Sequence, residues 1–393
     1  MATFLIDGAT WNNVRGYGRF TRGLVSALVR AGNRHRWAIL LAPGEEREMP
    51  LPDGLEPRIV KVSVRPGHAA SAEGRRSVRD MLLFRAAARQ SRADAILVPT
   101  VYSWFPTGLP TVTIVHDTIA ESLPSLVFPT KTGKFLWNLK VRAALACSAS
   151  LATVSESARS SMIERWKLNP DSITVLTEGF DRDTFHSNRD EITSRRVRTQ
   201  LGVPPDGRLA ITVGGLSPHK NLKAAIHACA LLRKSGIKVV LALAGGGAGD
   251  VFHSEAEDLR ALVSSLGIVD SVRFLGHISD LDLGDLVRAA DALLFPSLLE
   301  GFGLPALEAL ACGTPVVTSG RGALPEVTGN LGVEADPNDP SALASAFIRA
   351  TTPENAELLK REGPKRAALF TWEESAKRLL PVLEKFDPLN QTS

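Results

Sequence analysis

Short apolar runs alternate with helix-length segments along the first half of the chain. The apolar runs predict buried strands, and the amphipathic segments between them predict helices. The predicted strands cover residues 4–6, 37–41, 58–62, 95–98, 111–115 and 151–154, and the predicted helices cover 19–31 and 75–91. This alternation is typical of a parallel sheet covered by helices.

A polar, basic stretch at residues 188–205 interrupts the pattern, and a second alternating series follows it. Its predicted strands are 209–213, 238–244, 272–274, 292–295 and 315–318, and its predicted helices are 221–235, 255–266 and 305–311. We therefore predict two doubly wound α/β domains with a linker near residue 185. Because such sheets bind ligands outside the carboxyl ends of their strands, we expect the ligand in a cleft between the domains.

Length and composition agree with two soluble domains. A chain of 393 residues is too long for one ordinary core, and 44% hydrophobic with 22% charged residues is ordinary for a globular enzyme. A net charge of +4 permits anionic partners, such as phosphorylated metabolites or a membrane surface, without requiring nucleic acid.

Cysteine use and the N-terminus favour a cytoplasmic location. The three cysteines lie far apart and form no CxxC pair, which argues against a disulfide framework or a zinc site. Asp7 interrupts the first apolar run before it reaches signal-peptide length, and no stretch approaches the length of a spanning helix. We expect a cytoplasmic protein that can touch the inner face of a membrane peripherally.

The stretch Glu300-Gly-Phe-Gly-Leu-Pro-Ala-Leu-Glu308 follows the predicted strand 292–295. Pro305 suits the first turn of a helix, where its missing N–H costs nothing. A helix N-terminus behind a glycine-rich loop is a site for an anion such as phosphate. The alternative is an ordinary helix start with one surface acid and one capping acid. Two acids together with two glycines favour the binding site.

Three further stretches place polar groups after predicted strands. Val213-Gly-Gly-Leu-Ser-Pro-His-Lys-Asn221 is neither GxGxxG nor a Walker A loop; its Lys220 either faces an anion or is simply solvated. Gly16-Tyr-Gly-Arg19 is either a loop of close approach or a tight turn. His116 stands at the carboxyl end of the strand 111–115, as a catalytic or a structural residue. Its neighbour Asp117 either orients the ring or caps the next segment.

Two other signals carry less weight. Asp181-Arg-Asp183 fits a DxD metal pattern, but it lies in the predicted linker without further ligands, so we predict no metal site. The glycine-rich run at 244–249 either borders the ligand or is a flexible loop at the rim of the domain.

Taken together, these stretches resemble the GT-B, family 4 glycosyltransferases, a retaining group that uses nucleotide sugars. The most specific element is the E-x7-E pattern of Glu300 and Glu308 with GFGLP between them. The supporting stretches are 213–221, 272–278, 311–316, 115–117, 16–20 and 370–372. The resemblance implies the GT-B fold: an acceptor-side Rossmann-like domain at 1–186, a nucleotide-sugar-binding domain at 187–371, and residues 372–393 crossing back onto the first.

The resemblance also implies roles for individual residues. Glu300 would bind the donor sugar, Glu308 the ribose, and His116 would lie beside the transferred sugar. The diphosphate would be held by Lys220 and by the backbone N–H groups of the residues that begin the helix. The implied donor-binding residues are Gly16, Gly18, Arg19, Gly214, Gly215, His277, Ile278, Phe302, Gly303, Leu304 and Glu308, with His116, Glu300 and Lys220 as catalytic residues.

One departure from the family pattern concerns charge. Many members carry an Arg soon after the strand that precedes Lys220, and here Gly215 stands at that position. His219 stands where related sequences often have Arg. Since the family uses no metal, either another cation such as Arg19 offsets the charge of the leaving diphosphate, or phosphate binding is weaker than usual in the family.

The implied reaction moves a sugar from a nucleotide diphosphate sugar to a hydroxyl of a glycan or lipid-linked acceptor, without metal or cofactor. GDP-mannose stands slightly ahead of a UDP-sugar as donor. A GT-B sugar-nucleotide epimerase is an alternative that the E-x7-E spacing argues against. A non-catalytic nucleotide-sugar-binding homologue is a second alternative, suggested by the missing Arg.

Two basic segments of the first domain bear on the acceptor. Residues 75–92 and 128–142 mix Lys and Arg with apolar side chains. Such segments can lie on anionic membranes and meet a lipid-linked acceptor, or they can be solvated helix faces packed on a sheet.

Overall fold

The computed structural model of the chain describes residues 1–14, 16–62, 78–246 and 255–390. These residues pack into two compact units. The first unit comprises Met1–Gly179 and Thr371–Ser393, and the second comprises Phe180–Phe370.

A seven-stranded parallel sheet forms the centre of the first unit, with strand order β3-β2-β1-β4-β5-β6-β7. The strands are β1 (Thr3–Asp7), β2 (Arg36–Leu41), β3 (Leu55–Ile59), β4 (Ala95–Val98), β5 (Thr111–Val115), β6 (Ser150–Thr153) and β7 (Ile173–Val175). Its helices include α1 (Gly16–Ala31), α2 (Val78–Gln90), α3 (Ile119–Ser122), α4 (Pro124–Val127), α5 (Lys131–Cys147) and α6 (Glu156–Trp166). Strands β4 and β5 are buried at every residue, as expected for a parallel sheet covered on both faces.

The second unit contains a six-stranded parallel sheet in the order β10-β9-β8-β11-β12-β13. The strands are β8 (Arg208–Val213), β9 (Val239–Ala244), β10 (Val272–Gly276), β11 (Ala292–Phe295), β12 (Val316–Thr318) and β13 (Gly332–Glu334). The helices are α7 (Glu191–Gln200), α8 (Leu222–Lys234), α9 (Ala256–Ser265), α10 (Asp280–Ala289), α11 (Leu304–Ala311), α12 (Leu324–Thr328), α13 (Pro340–Ala350) and α14 (Pro353–Ala367).

The last helix, α15 (Trp372–Glu384), belongs to the first unit and packs on α1. The contact depends on Gly23, where an added Cβ would lie 2.3 Å from Cε2 of Trp372. The Trp372 ring also meets the ring of Phe20 edge-on, with centroids 5.6 Å apart. A glycine on α1 thus lets the indole lie directly against the helix backbone.

These observations confirm the predicted fold class, because both units are Rossmann-like domains built on parallel sheets. In each sheet the first three strands are added in order toward one edge, and the fourth strand then pairs with the other side of the first strand and continues toward the opposite edge. Right-handed crossovers in opposite directions place helices on both faces of such a sheet.

Two sequence-based expectations differ from the observed structure. Strand β3 covers Leu55–Ile59 instead of 58–62, because it is an edge strand with exposed Glu56 and Arg58 and lacks the apolar run of a central strand. The polar, basic stretch at 188–205, for which no helix was predicted, contains helix α7, whose first N–H groups are capped by the Asp190 carboxylate. The start of the predicted helix 75–91, at 75–77, lies outside the described residues.

The two units divide the described chain at 179/180, whereas we predicted the boundary at 186/187. Residues 180–186 pack with the second unit because Thr184 contacts helix α10. The carbonyl oxygen of Thr184 accepts a 2.6 Å hydrogen bond from Nη1 of Arg288. A Cβ at Gly284 would come within 2.6 Å of the same oxygen.

Candidate functional site

The order of strands reverses between β8 and β11 in the second sheet. Loops that leave two such strands in opposite directions open a crevice at their carboxyl ends, where ligands of doubly wound folds bind. The loop after β8 carries Lys220, and the loop after β11 carries Glu300. The topology thus brings together two residues that are 80 positions apart in sequence.

Lys220 and Glu300 form a largely buried ion pair. Nζ of Lys220 lies 2.6 Å from Oε1 of Glu300, and their side chains are only 17% and 9% exposed. The Lys220 ammonium also lies 5.2 Å from the centre of the Phe295 ring. Burial disfavours the ionised form of Glu300, but the charge of Lys220 and its hydrogen bond to the carboxylate outweigh this and hold the pKa of the carboxyl below its ordinary value.

His219 does not supply the cation that Gly215 lacks. Burial and the neighbouring Lys220 charge lower the pKa of the His219 imidazole from 6.5 to about 4, so the ring is neutral at pH 7. The backbone of His219 joins the two loops, since its carbonyl oxygen accepts a 2.8 Å hydrogen bond from the Leu298 N–H. An added Cβ at Gly215 would meet only Oγ of Ser217, at 3.6 Å.

Helix α11 begins directly after the loop that carries Glu300. Gly303 precedes the helix with φ of 103°, a left-handed conformation that favours glycine, and Pro305 occupies the first turn. The first N–H groups of a helix have no acceptors within it and carry its positive dipole end, which suits an anion. Phe302, Gly303 and Leu304, predicted to hold the diphosphate, are all buried at this helix start.

Glu308 lies further along α11 and is 2% exposed. It follows Leu304 by one helical turn, so it does not belong to the start of the helix that faces an anion. The structure therefore separates the two acids of the E-x7-E pattern into a loop position and a helix position. The sugar and ribose roles assigned to them stay predictions.

Glycine backbones line the same edge of the sheet. A Cβ at Gly245 would lie 2.0 Å from the carbonyl oxygen of Gly214, and the Gly245 N–H donates to the carbonyl of Gly276 at 2.8 Å. All three glycines have positive φ. His277 is exposed and Ile278 half-buried just beyond Gly276. Of the run at 244–249, residues 247–249 lie outside the described residues.

In the first unit, His116 follows β5 and is held tightly. Its Nε2 lies 2.8 Å from the carbonyl oxygen of Pro99, and because a carbonyl only accepts, Nε2 carries the hydrogen. Nδ1 lies 3.7 Å from Oε1 of Glu178. The rings of Tyr17 and Phe20 contact the imidazole edge-on, with centroids 5.0 Å and 4.3 Å away. Glu178 is a residue that the sequence analysis missed, because only the fold brings it to His116.

The carboxylate next to His116 caps a helix. Oδ1 of Asp117 accepts a 2.9 Å hydrogen bond from the N–H of Ile119 at the start of α3. Of the two interpretations offered for Asp117, the structure displays capping. Asp181 of the DxD pattern also serves the backbone, since its carboxylate accepts from the Asp183 N–H at 3.0 Å and from the Thr184 hydroxyl at 2.7 Å.

Gly16 and Gly18 lie in the first turn of α1 and not in a loop, which corrects the expectation for this stretch. A Cβ at Gly18 would lie 1.6 Å from the carbonyl oxygen of Asn13, so this glycine is required by its own chain. Nη1 of Arg22 donates to the same oxygen at 3.0 Å. Arg19 is half-buried in this turn, and the roles predicted for it and for the two glycines stay predictions.

Two family models match the chain. Residues 14–184 match the model described as Glycosyltransferase Family 4, and residues 193–366 match the model described as Glycosyl transferases group 1. Each match covers less than half of the chain, and together they include His116, Lys220, Glu300 and Glu308.

Curated relatives share about a third of their residues with this chain over the aligned part. A D-inositol 3-phosphate glycosyltransferase of Corynebacterium jeikeium is 35% identical over 232 residues, which is 58% of this chain and 55% of the relative. O-antigen chain mannosyltransferase B of Escherichia coli is 30% identical over 226 residues, or 57% of each chain. The chain thus spans about half the length of the curated relatives it matches.

Solved structures share the fold at lower identity. A sucrose-phosphate synthase of Thermosynechococcus elongatus has a TM-score of 0.78 at 21% identity, with all of both chains covered. Anabaena HepE in complex with UDP and glucose has a TM-score of 0.72 at 18% identity, with 98% of this chain and 100% of HepE covered. WaaG, a glycosyltransferase of lipopolysaccharide biosynthesis, has a TM-score of 0.71 at 19% identity, with 99% and 100% covered. The chain belongs to the GT-B glycosyltransferases of the family 4 type.

Proposed function

We propose that the protein transfers a sugar from a nucleotide diphosphate sugar to a hydroxyl group of a glycan or lipid-linked acceptor. The observation that carries this proposal is the Lys220–Glu300 pair at the point where the strand order of the second sheet reverses, beside the start of α11. The pair places a cation and a hydrogen-bond acceptor next to N–H groups that suit an anion.

A nucleotide diphosphate sugar carries the groups that such a site would bind. Its diphosphate would accept hydrogen bonds from the N–H groups of Phe302, Gly303 and Leu304 and from Lys220. Its sugar hydroxyls would donate to Glu300, since a carboxylate only accepts. When the sugar displaces part of the Lys220 contact, the ammonium becomes available to the leaving phosphate, where charge develops during transfer.

The donor, the stereochemistry and the independence from metal are finer parts of the proposal. We place GDP-mannose first, a choice supported by the mannosyltransferase among the relatives, and a UDP-sugar second, supported by the solved complexes of HepE with UDP and UDP-glucose. We propose retention of the anomeric configuration and transfer without a metal ion. His116 is proposed to act beside the transferred sugar, and its fixed ring orientation supports a positioning role.

A donor panel tests the proposal directly. The full chain is incubated with GDP-mannose, UDP-glucose and related donors, with candidate glycan and lipid-linked acceptors, and nucleoside diphosphate release is measured with and without EDTA. Acceptor-dependent release that survives EDTA is expected for one donor, and NMR of the product reports the anomeric configuration. Donor binding without release under every condition would indicate the non-catalytic homologue. Conversion of the donor sugar without an acceptor would indicate the epimerase.

A membrane surface is the second partner that we propose, through helix α5. Within the described ranges, no helix is long and apolar enough to cross a membrane. Helix α5 buries Trp137, Val141 and Ala144. Its other face exposes Phe135 and Leu139, 67% and 58% accessible, and three exposed basic residues, Lys131, Lys134 and Arg142, flank them. Apolar and basic side chains on one face suit the surface of an anionic membrane that holds a lipid-linked acceptor.

A further inference from the structure

Charge balance at the proposed donor site is incomplete in the loop after β8. Gly215 has no side chain to offer, and the His219 ring is neutral at pH 7. The Lys220 ammonium lies 2.6 Å from Glu300, whose carboxylate already balances its charge. A diphosphate brings more than one negative charge into this neighbourhood, so a further cation from another element of the second unit would improve the charge balance.

The loop between β12 and α12 carries a basic residue to the same edge of the sheet. Strand β12 is the neighbour of β11, so the carboxyl ends of these two parallel strands are adjacent. The loop after β11 holds Glu300, and the loop after β12 holds Arg321.

Contacts with both ends of the Glu300 loop hold the Arg321 loop in place. The N–H of Ala323 donates to the carbonyl oxygen of Glu300 at 3.2 Å, and a Cβ at Gly322 would lie 2.5 Å from that oxygen. At the other end, Cδ2 of Leu324 would lie 2.7 Å from a Cβ at Gly303, the residue before α11. Arg321 is therefore anchored beside the segment that runs from Glu300 to the start of α11.

The present partner of Arg321 lies on the same edge. Nη2 of Arg321 lies 3.3 Å from Oδ1 of Asp336, and the two side chains are 43% and 58% exposed. The residue after Asp336 is tied to the Lys220 segment, because the carbonyl of Pro337 accepts a 2.6 Å hydrogen bond from Nδ2 of Asn221. Exposed ion pairs of this kind are weak, so the guanidinium can leave Asp336 for a stronger anionic partner.

We infer that Arg321 binds the diphosphate of the donor and supplies the cation that is missing at Gly215. The inference rests on the proposed function and adds a specific phosphate ligand to it. A guanidinium offers two parallel N–H donors to phosphate oxygens, which an ammonium cannot do. Strand β11 lies between β8 and β12 in the sheet. The loops that carry Lys220 and Arg321 therefore follow the two neighbours of the strand whose loop carries Glu300.

Calorimetric binding measurements on the full-length protein test the inference. Wild type and R321A are titrated with GDP and UDP and with the phosphate-free nucleosides guanosine and uridine. Loss of charge-assisted bidentate hydrogen bonds is expected to raise the Kd for the diphosphate by about 10-fold to 100-fold and to leave nucleoside binding unchanged. R321K keeps the positive charge but loses the two parallel N–H donors, so its Kd for the diphosphate is expected to lie between the values of wild type and R321A.

Two controls separate phosphate binding from structural damage. R361A removes another exposed, ion-paired arginine of the second unit, on α14, and should bind like wild type. D336N releases Arg321 and should bind diphosphate at least as tightly as wild type. A Kd for diphosphate within twofold of wild type in R321A, or an equal loss of nucleoside binding, would overturn the inference alone. A wild-type protein that binds neither GDP nor UDP would instead refute the proposed function, and the inference with it.

Discussion

At the scale of single residues, the Lys220–Glu300 pair makes a prediction about stability as well as activity. Breaking a buried ion pair leaves an unpaired charge, which costs up to about 3–5 kcal/mol, whereas replacing both partners by apolar groups is far less costly. K220M and E300M should therefore each destabilise the second unit more than the K220M/E300M double variant does, with a coupling energy of roughly 0.5–3 kcal/mol. All three variants should lose sugar transfer.

Far-ultraviolet circular dichroism during urea unfolding checks this prediction. Tryptophan fluorescence would miss it, because all six tryptophans of the chain lie in the first unit. K238M, which breaks an exposed pair with Asp206, is the matched control and should change stability little. Strictly additive effects of K220M and E300M would show that the two side chains are not coupled.

His219 gives the second unit a pH dependence. Its pKa falls from 6.5 to about 4 on folding, so the unfolded chain binds a proton more tightly than the folded protein between these values. The contribution of the neutral His219 ring to the free energy of unfolding is therefore present above pH 6.5 and is lost as the pH falls toward 4. The midpoint temperature of thermal unfolding, measured by circular dichroism, should fall further between pH 7 and pH 5 in wild type than in H219Q. Parallel losses in the two proteins would contradict the assigned cause.

At the scale of elements, Glu121 joins helix α3 to helix α5. Nε1 of Trp137 donates to Oε1 of Glu121 at 2.6 Å, and burial is the main cause that raises the pKa of this carboxyl from 4.5 to about 7. The folded state thus favours the neutral acid, and stability from it is present below pH 4.5 and lost as the pH rises through 7. The backbone carbonyl of Glu121 also accepts from Nη2 of Arg165, which adds α6 to the same junction.

Glu121→Gln should therefore stabilise the first unit in alkaline solution. The amide keeps an acceptor for Trp137 without a charge to bury. The free energy of unfolding of the first unit should therefore rise by up to about 3 kcal/mol at pH 8, and by less toward pH 5. Tryptophan fluorescence during unfolding measures it, since Trp137 itself lies at the junction. E164Q, at an exposed position of α6, is the control and should show no such gain. A gain that does not depend on pH would refute the role of the carboxyl proton.

The strands and helices also show which kinds of element the sequence patterns predict correctly. Central strands such as β4, β5 and β11 are buried at every residue, and their apolar runs predicted them at their observed bounds. Edge strand β3 was misplaced because only one of its sides pairs with a neighbour. Helix α7 was not predicted because its composition is polar and only one narrow face of the helix packs on α10.

At the scale of the whole molecule, the prediction concerns membrane association through α5. The F135S/L139S variant removes the two most exposed apolar side chains of the helix and should abolish sedimentation with anionic vesicles at low salt. L281S, which removes a comparably exposed leucine from the second unit, should sediment like wild type. Raising the salt should weaken the wild-type interaction by screening the basic residues. A wild-type protein that does not sediment with anionic vesicles would end the proposal of membrane contact.

The sequence alone determined the two-domain, parallel-sheet architecture and the glycine-rich helix start that is proposed for the donor site. Alternation of apolar runs with helices is a local signal, and so are the glycines and proline that set the start of α11, so both are readable in one dimension. The spacing of Glu300 and Glu308 likewise depends only on one loop and one helix.

Only the tertiary structure decided which of these residues meet. Lys220 and Glu300 come together because β8 and β11 are neighbours at the reversal of strand order, and Glu178 reaches His116 from the end of the segment Met1–Gly179. The neutral state of His219 depends on burial and on the Lys220 charge, which a sequence does not display. Contacts between residues far apart in the chain, and the pKa values they set, depend on packing, and packing exists only in the folded protein.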